Sequence, residues 1–185
     1  MDLNSLIKIV KKIDENKNHE NMELLKKING NLSFNAENIY SKSKLLNSLE
    51  SELELFNGNI IFHRLILDFG NLGASDLVGE INNRSKNSIF KFQKNVFIDD
   101  IRKFNKKFEI KSNINESSTD ISFSGKLNLT NFNFNLNQIF KGKNIINEEE
   151  KINIVNTFKK IMLTKNFESL LSFENLKEFI KIIIE

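Results

Sequence analysis

The side chains in this sequence with the means to do acid–base or metal chemistry fall into a few groups. They are Glu50, Glu52 and Glu54; the pair Asp99 and Asp100; Glu148, Glu149 and Glu150; and two histidines, His19 and His63. A spacing of two places the first three glutamates on one face of a strand, where water solvates them. The other two clusters each open a helix-like run, where negative charge complements the positive end of the helix dipole. None forms the Asp/Asn ladder of a calcium loop. The chain has no cysteine, so a thiol nucleophile and a thiolate metal site are both excluded. The glycines of GNLGASDLVG, residues 70–79, are not followed by the Lys-Ser/Thr of a phosphate-binding loop. His19 sits in a polar loop. The residues predict no catalytic group, no metal site and no cofactor.

The elements that hold these groups start with a hairpin. Residues 48–81 read SLESELELFNGNIIFHRLILDFGNLGASDLVGEI, and Asn57-Gly58 divides two arms rich in Leu, Ile and Phe. Asn-Gly specifies a two-residue type I′ turn, because both central residues need positive φ. With that turn Leu55 faces Ile60, Leu53 faces Phe62 and Leu49 faces Ile66, and this apolar pattern sets the register. On the other face Glu54 meets Ile61, Glu50 meets Leu65, and Glu52 meets His63 as a cross-strand charge pair. The second arm is apolar on both faces and wants cover on each side. Leu49, Leu53, Leu55, Ile60, Phe62 and Ile66 therefore line either a plain core or the wall of a lipid-binding groove.

Around the hairpin the chain reads helix, strands, helices. Leu3, Leu6, Ile7, Val10 and Ile13 recur at helical spacing, with Lys8, Lys11 and Lys12 on the polar side. From residue 30 to 40 alternation sets Leu32, Phe34 and Ala36 on one side. Residues 76–82 read as a strand in which Gly79 marks a close backbone approach, a twist or a bulge. Residues 88–92 put Phe90 and Phe92 on one face, residues 96–98 are apolar, and a short helix near 99–108 holds Phe104 and Phe108. Over 119–136, Ile121, Phe123, Leu127 and Leu129 share one parity, and Phe132, Phe134 and Leu136 the other. A bulge, a bend or a new strand must fall at Thr130-Asn131. Beyond Gly142 the period becomes 3.6: Asn147 and Glu150 make a capping-box-like start, and Ile152, Val155, Phe158, Ile161 and Met162 line one helix face. A last helical region opens at Asn166.

Composition bounds the partners. Hydrophobic residues at 39% and charged residues at 28% match a globular chain and not a disordered one. A net charge of +3 without a basic block argues against nucleic acid. The phenylalanines alternate with Asn and Ser, not with Lys and Arg, so they do not form a base-stacking platform. No apolar run approaches the ~20 residues of a spanning helix, and the N-terminus has no continuous apolar core of a secretory signal.

The stretch LLKKINGNLSFNAENIYSKSKLLNSLESELELFNGNIIF resembles the AsmA-like family of bacterial envelope proteins, in the C-terminal AsmA-like region. It has the helix-like lead-in, the Gly-containing strand start, the polar link, and the strand, Asn-Gly turn and strand of the family's recurring run. LILDFGNLGASDLVGEI resembles the segment after that hairpin, and SGKLNLTNFNFNL is similar to another strand of the series. The resemblance covers residues 24–136. It implies a protein of the Gram-negative envelope, anchored at the inner membrane by an N-terminal segment, projecting into the periplasm and carrying phospholipid in the groove of a curved sheet. This chain departs from the pattern in its shortness and in lacking the anchor. The resemblance thus implies a terminal portion of a longer protein, or a reading frame that starts late.

The expected fold class is α+β: a curved, groove-like antiparallel meander with an N-terminal helix and two or three C-terminal helices. The expected segments are 1–28, helical; 29–140, the sheet block with its short helix; and 145–185, helices that pack on the sheet or cap it. The expected function is that of a non-enzymatic envelope module for phospholipid transport or outer-membrane biogenesis. Its implied partners are phospholipid acyl chains and the remainder of a longer envelope protein, with no nucleic acid. The alternative is a structural or interaction domain with no open groove.

Overall fold

The computed structural model describes residues 27–39, 46–83, 88–111, 117–165 and 181–182. The expected N-terminal helix and the region opened by Asn166 lie outside the described residues, apart from the helical pair 181–182. Period-two alternation folds as an eight-stranded antiparallel sheet: β1 (Gly30–Ala36), β2 (Ser48–Phe56), β3 (Asn59–Asp68), β4 (Gly73–Asn82), β5 (Ile89–Ile98), β6 (Thr119–Asn128), β7 (Phe134–Lys141) and β8 (Asn144–Ile145). Each strand pairs with its neighbour in sequence, so the sheet is an open meander. Among the described residues the α-helices α1 (Ile101–Phe108), between β5 and β6, and α2 (Glu148–Lys165), after β8, complete this α+β fold.

Asparagine does much of the turn chemistry. Asn57 and Gly58 adopt φ of 50° and 80°, as a type I′ turn requires. The Asn57 N–H donates to Asn29 Oδ1, and Asn83 Nδ2 donates to the Gly58 carbonyl, so side chains from both flanks hold the hairpin tip. Between β6 and β7, Asn128 Oδ1 accepts from the N–H groups of Thr130 and Asn131. The parity switch expected at Thr130-Asn131 is therefore a turn into a new strand. The pieces expected at 88–92 and 96–98 are one continuous strand, β5.

Two bulges keep the alternation in step with the sheet. Glu52 pairs with Arg64 and Leu53 with Phe62, which leaves His63 as the extra residue of β3. On the other side of β3, Phe62 pairs with Gly79 and Leu65 with Leu77, so the same bulge is seen from β4. In β7 the shift falls at Asn137, between Leu136 opposite Gly125 and Gln138 opposite Ser124. At each point the apolar spacing in the sequence slips by one residue, and the bulge restores it to a single face.

The core lies on one side of the sheet at its β5–β7 end. Ile98, Ile121, Phe123, Leu127, Phe134, Leu136 and Ile139 are buried there with Ile101, Phe104 and Phe108 of α1 and Ile154 and Phe158 of α2. Asp100 caps α1, its side chain accepting from the Lys103 N–H at 3.0 Å. That backbone hydrogen bond is the main reason its carboxyl titrates below the usual range. Asn147 Oδ1 accepts from the Glu150 N–H at 2.9 Å, as the capping signal predicts. The buried stripe of α2 is in part the expected one: Phe158 is buried and Val155 packs on the core, but Ile154 replaces Ile152. Ile154 and Phe158 face the sheet while Ile152 is 55% exposed, because the cap at Asn147 fixes the helix phase and Phe158 docks on Phe134 with ring centroids 4.1 Å apart. Ile182 packs against the same core.

Candidate functional site

Register places most apolar residues of the long strands on the face that α1 and α2 occupy, while Ile61, Ile66, Val78 and Phe97 lie on the other. One row across the sheet runs Leu32, Leu53, Phe62, Gly79, Phe92, Gly125, Leu136. The next runs Phe34, Ser51, Leu65, Leu77, Lys94, Phe123, Ile139. Five of the six candidate groove residues, Leu49, Leu53, Leu55, Ile60 and Phe62, share this face. The sixth does not. The bulge at His63 sets Leu49 against Leu67 and turns Ile66 to the opposite face, across from Glu50. Leu65 and Leu67 take the place expected for Ile66.

The glycines in the first row make room for aromatic rings. A Cβ at Gly79 would lie 2.8 Å from the Phe90 ring and 2.5 Å from the Lys91 carbonyl oxygen, and one at Gly125 would lie 3.2 Å from the Phe92 ring. Gly79 is thus a close approach, and the Phe rings fill the space above the missing side chains. Phe62, Phe90, Phe92 and Phe134 follow one another across the face with centroids 5.3–6.0 Å apart.

Cover is uneven. Among the described residues, none of β1 to β4 belongs to the buried apolar cluster. Leu49, Leu53, Leu55, Ile60, Phe62, Leu65 and Leu67 are half-buried, and at the β1 edge Leu32 and Phe34 are 53% and 39% exposed. The candidate surface is this part of the apolar face.

At the border between its covered and open parts stands a lysine. Lys94 occupies the apolar face of β5, between Leu77 of β4 and Phe123 of β6. Its Nζ donates to Ser75 Oγ at 3.2 Å, and Ser75 is 1% exposed. Burial pushes the Lys94 amine down to about 8, and Asp76 offsets part of the shift. Asp76 itself alternates to the far face, where it accepts from Asn95 Nδ2 at 2.7 Å.

Among the described residues the other titratable groups lie at or near the surface. His63 Nε2 lies 2.9 Å from Glu54 Oε2, not beside Glu52 as the unbulged register requires, and Glu50 pairs with Arg64 at 3.2 Å. Lys151 closes an i,i+3 pair with Glu148 in the first turn of α2. Among the described residues no group of three or more His, Cys, Asp and Glu could hold a metal ion. A hollow of about 310 Å³ opens over Asn31, Ser33, Glu52, Glu54 and His63, on the polar side of β1–β3. Another, of about 340 Å³, lies between β7 and α2 beside Lys151 and Lys159. The first hollow also touches Leu32 and Leu53 of the open apolar face, but neither hollow runs across that face from β1 to β4.

Lys94 escapes a reading that splits β5 into two pieces, since the gap falls on it. Continuous alternation through Phe90, Phe92, Lys94 and Val96 is the signal that places it. For Leu65 and Leu67 the signal is the polar pair His63-Arg64 inside an apolar arm. No family model, curated protein or solved structure matches this chain significantly.

Proposed function

We propose that this protein is a non-enzymatic lipid-handling module of the AsmA-like type, in which the apolar face of β1–β4 takes acyl chains as part of a curved, groove-like sheet. The observation that carries this reading is the uneven cover of one continuous apolar face. Partly exposed Leu, Ile and Phe across four adjacent strands, most open at Leu32 and Phe34, form a surface of the kind that marks ligand or partner binding. The resemblance of residues 24–136 supports a place in the periplasm, within a longer envelope protein, and a role in phospholipid transport or outer-membrane biogenesis. Among the described residues no helix is long and apolar enough to cross a membrane. Extraction of the purified protein followed by mass spectrometry tests the reading: co-purifying phospholipid supports it. A lipid-free protein whose native state binds no hydrophobic dye rejects it.

A second reading is a structural or interaction domain with no open groove. The hollows favour it, because neither runs across the apolar face of β1–β4: the first takes in only Leu32 and Leu53 of that face, and the second lies between β7 and α2. Strong binding of a hydrophobic dye to the native protein counts against this alternative.

A further inference from the structure

We infer that the open apolar face is built for a single-chain lipid with a carboxylate head, a long-chain fatty acid, held at its head by Lys94 and Ser75. The inference rests on the acyl-chain reading and adds to it the chemistry of the head group and its location.

A buried charge is expensive unless it is paired. Lys94 lies between Leu77 and Phe123, and among the described residues its side chain's one hydrogen bond is to a neutral hydroxyl. Among the described residues no carboxylate forms an ion pair with it; Asp76 acts from the opposite face and is bonded to Asn95. The burial that lowers the Lys94 amine to about 8 is the same unpaired condition seen from its titration. An incoming anion supplies the missing partner and makes a charge-assisted hydrogen bond.

Position fits the rest of such a ligand. Lys94 is on β5, at the margin of the buried apolar cluster, and four strand spacings of partly exposed, mainly apolar face, with the buried Ser51 in the same row, lie between it and β1. At about 4.8 Å per strand this is roughly 19 Å, comparable with an extended long-chain acyl group. The small polar content of the site selects a carboxylate over a phospholipid head. Lys94 and Ser75 together can satisfy two oxygens. The phosphate, glycerol and ester groups of a phospholipid set down among Leu77, Val96 and Phe123 leave further polar atoms without partners.

The test uses the full chain and three probes below their aggregation concentrations: oleate, oleyl alcohol and a short-chain phosphatidylglycerol. Binding is measured by calorimetry on the wild type, Lys94→Met and Lys94→Arg, with folding verified by circular dichroism. The expected result is oleate bound at least ten-fold more tightly than the alcohol. Lys94→Met should erase that ratio without changing alcohol binding, and Lys94→Arg should retain most of it. Equal affinity for acid and alcohol in the wild type, or an unchanged ratio in Lys94→Met, overturns the head-group inference and leaves the acyl-chain reading standing. Lys94-dependent binding of phosphatidylglycerol in preference to oleate overturns the choice of carboxylate. Binding of no probe overturns both.

Discussion

The β6–β7 end of the sheet and the β1–β3 end present the same apolar face to different surroundings. At the first end α1 and α2 lie over it, and Ile121, Leu136 and Ile139 are buried; at the second, Leu32 and Phe34 stand half in water. Both ends have period-two alternation, an Asn-rich turn and a bulge that keeps the apolar residues in line. Strand pattern therefore specifies that a face exists, and a separate amphipathic element decides whether it becomes core. The cover over β5–β7 is built from residues with their own signals: the Asp100 and Asn147 caps and the phenylalanines at 104, 108 and 158.

If the ends differ as described, substitutions should separate them. The largest effect is expected at Phe108, fully buried and 4.5 Å from the Phe104 ring: Phe108→Ala should cost roughly 3–5 kcal/mol in chemical denaturation. A comparable loss for Phe34→Ala would erase the distinction. The boundary residue should respond with the opposite sign. The Lys94 amine sits near 8 when folded against an ordinary 10.5, so between those values the unfolded chain binds more protons and stability rises with pH. Below pH 8 the penalty is complete. Lys94→Met should thus stabilise the protein at pH 7 by about 1–2 kcal/mol, discounted for partial exposure, and the gain should fade as pH approaches 10.5. Phe62→Ser, on the open face, should cost roughly 1 kcal/mol yet remove most hydrophobic-dye binding measured by fluorescence. Smallest of all, Leu32→Ser at the outer edge should change thermal stability by no more than about 0.5 kcal/mol.

Much of this arrangement is legible in the sequence. Asn57-Gly58 announces its turn, the Asn147/Glu150 spacing announces the start of α2, and alternation puts Leu53, Leu55, Ile60 and Phe62 on one face. What is not legible comes from bulges and phase. A uniform alternation carried through His63 assigns Ile66 to the wrong side, because one unpaired residue reverses every side chain beyond it. Ile152 is misplaced for a related reason: helical periodicity defines a stripe only to within a residue, and contact with Phe134 chooses Ile154 and Phe158. The candidate site suffers most, since a lysine inside an apolar row departs from the pattern used to find that row.

The strict correspondence between chain order and strand order has a kinetic consequence. No strand of the sheet waits for a distant partner; each can add to the hairpin before it, so closure of long loops is largely avoided and pairing propagates like a zipper. Strands can likewise be gained or lost at the β1 margin with only β2 left to find a new neighbour, which makes the length of such a sheet an easily varied quantity.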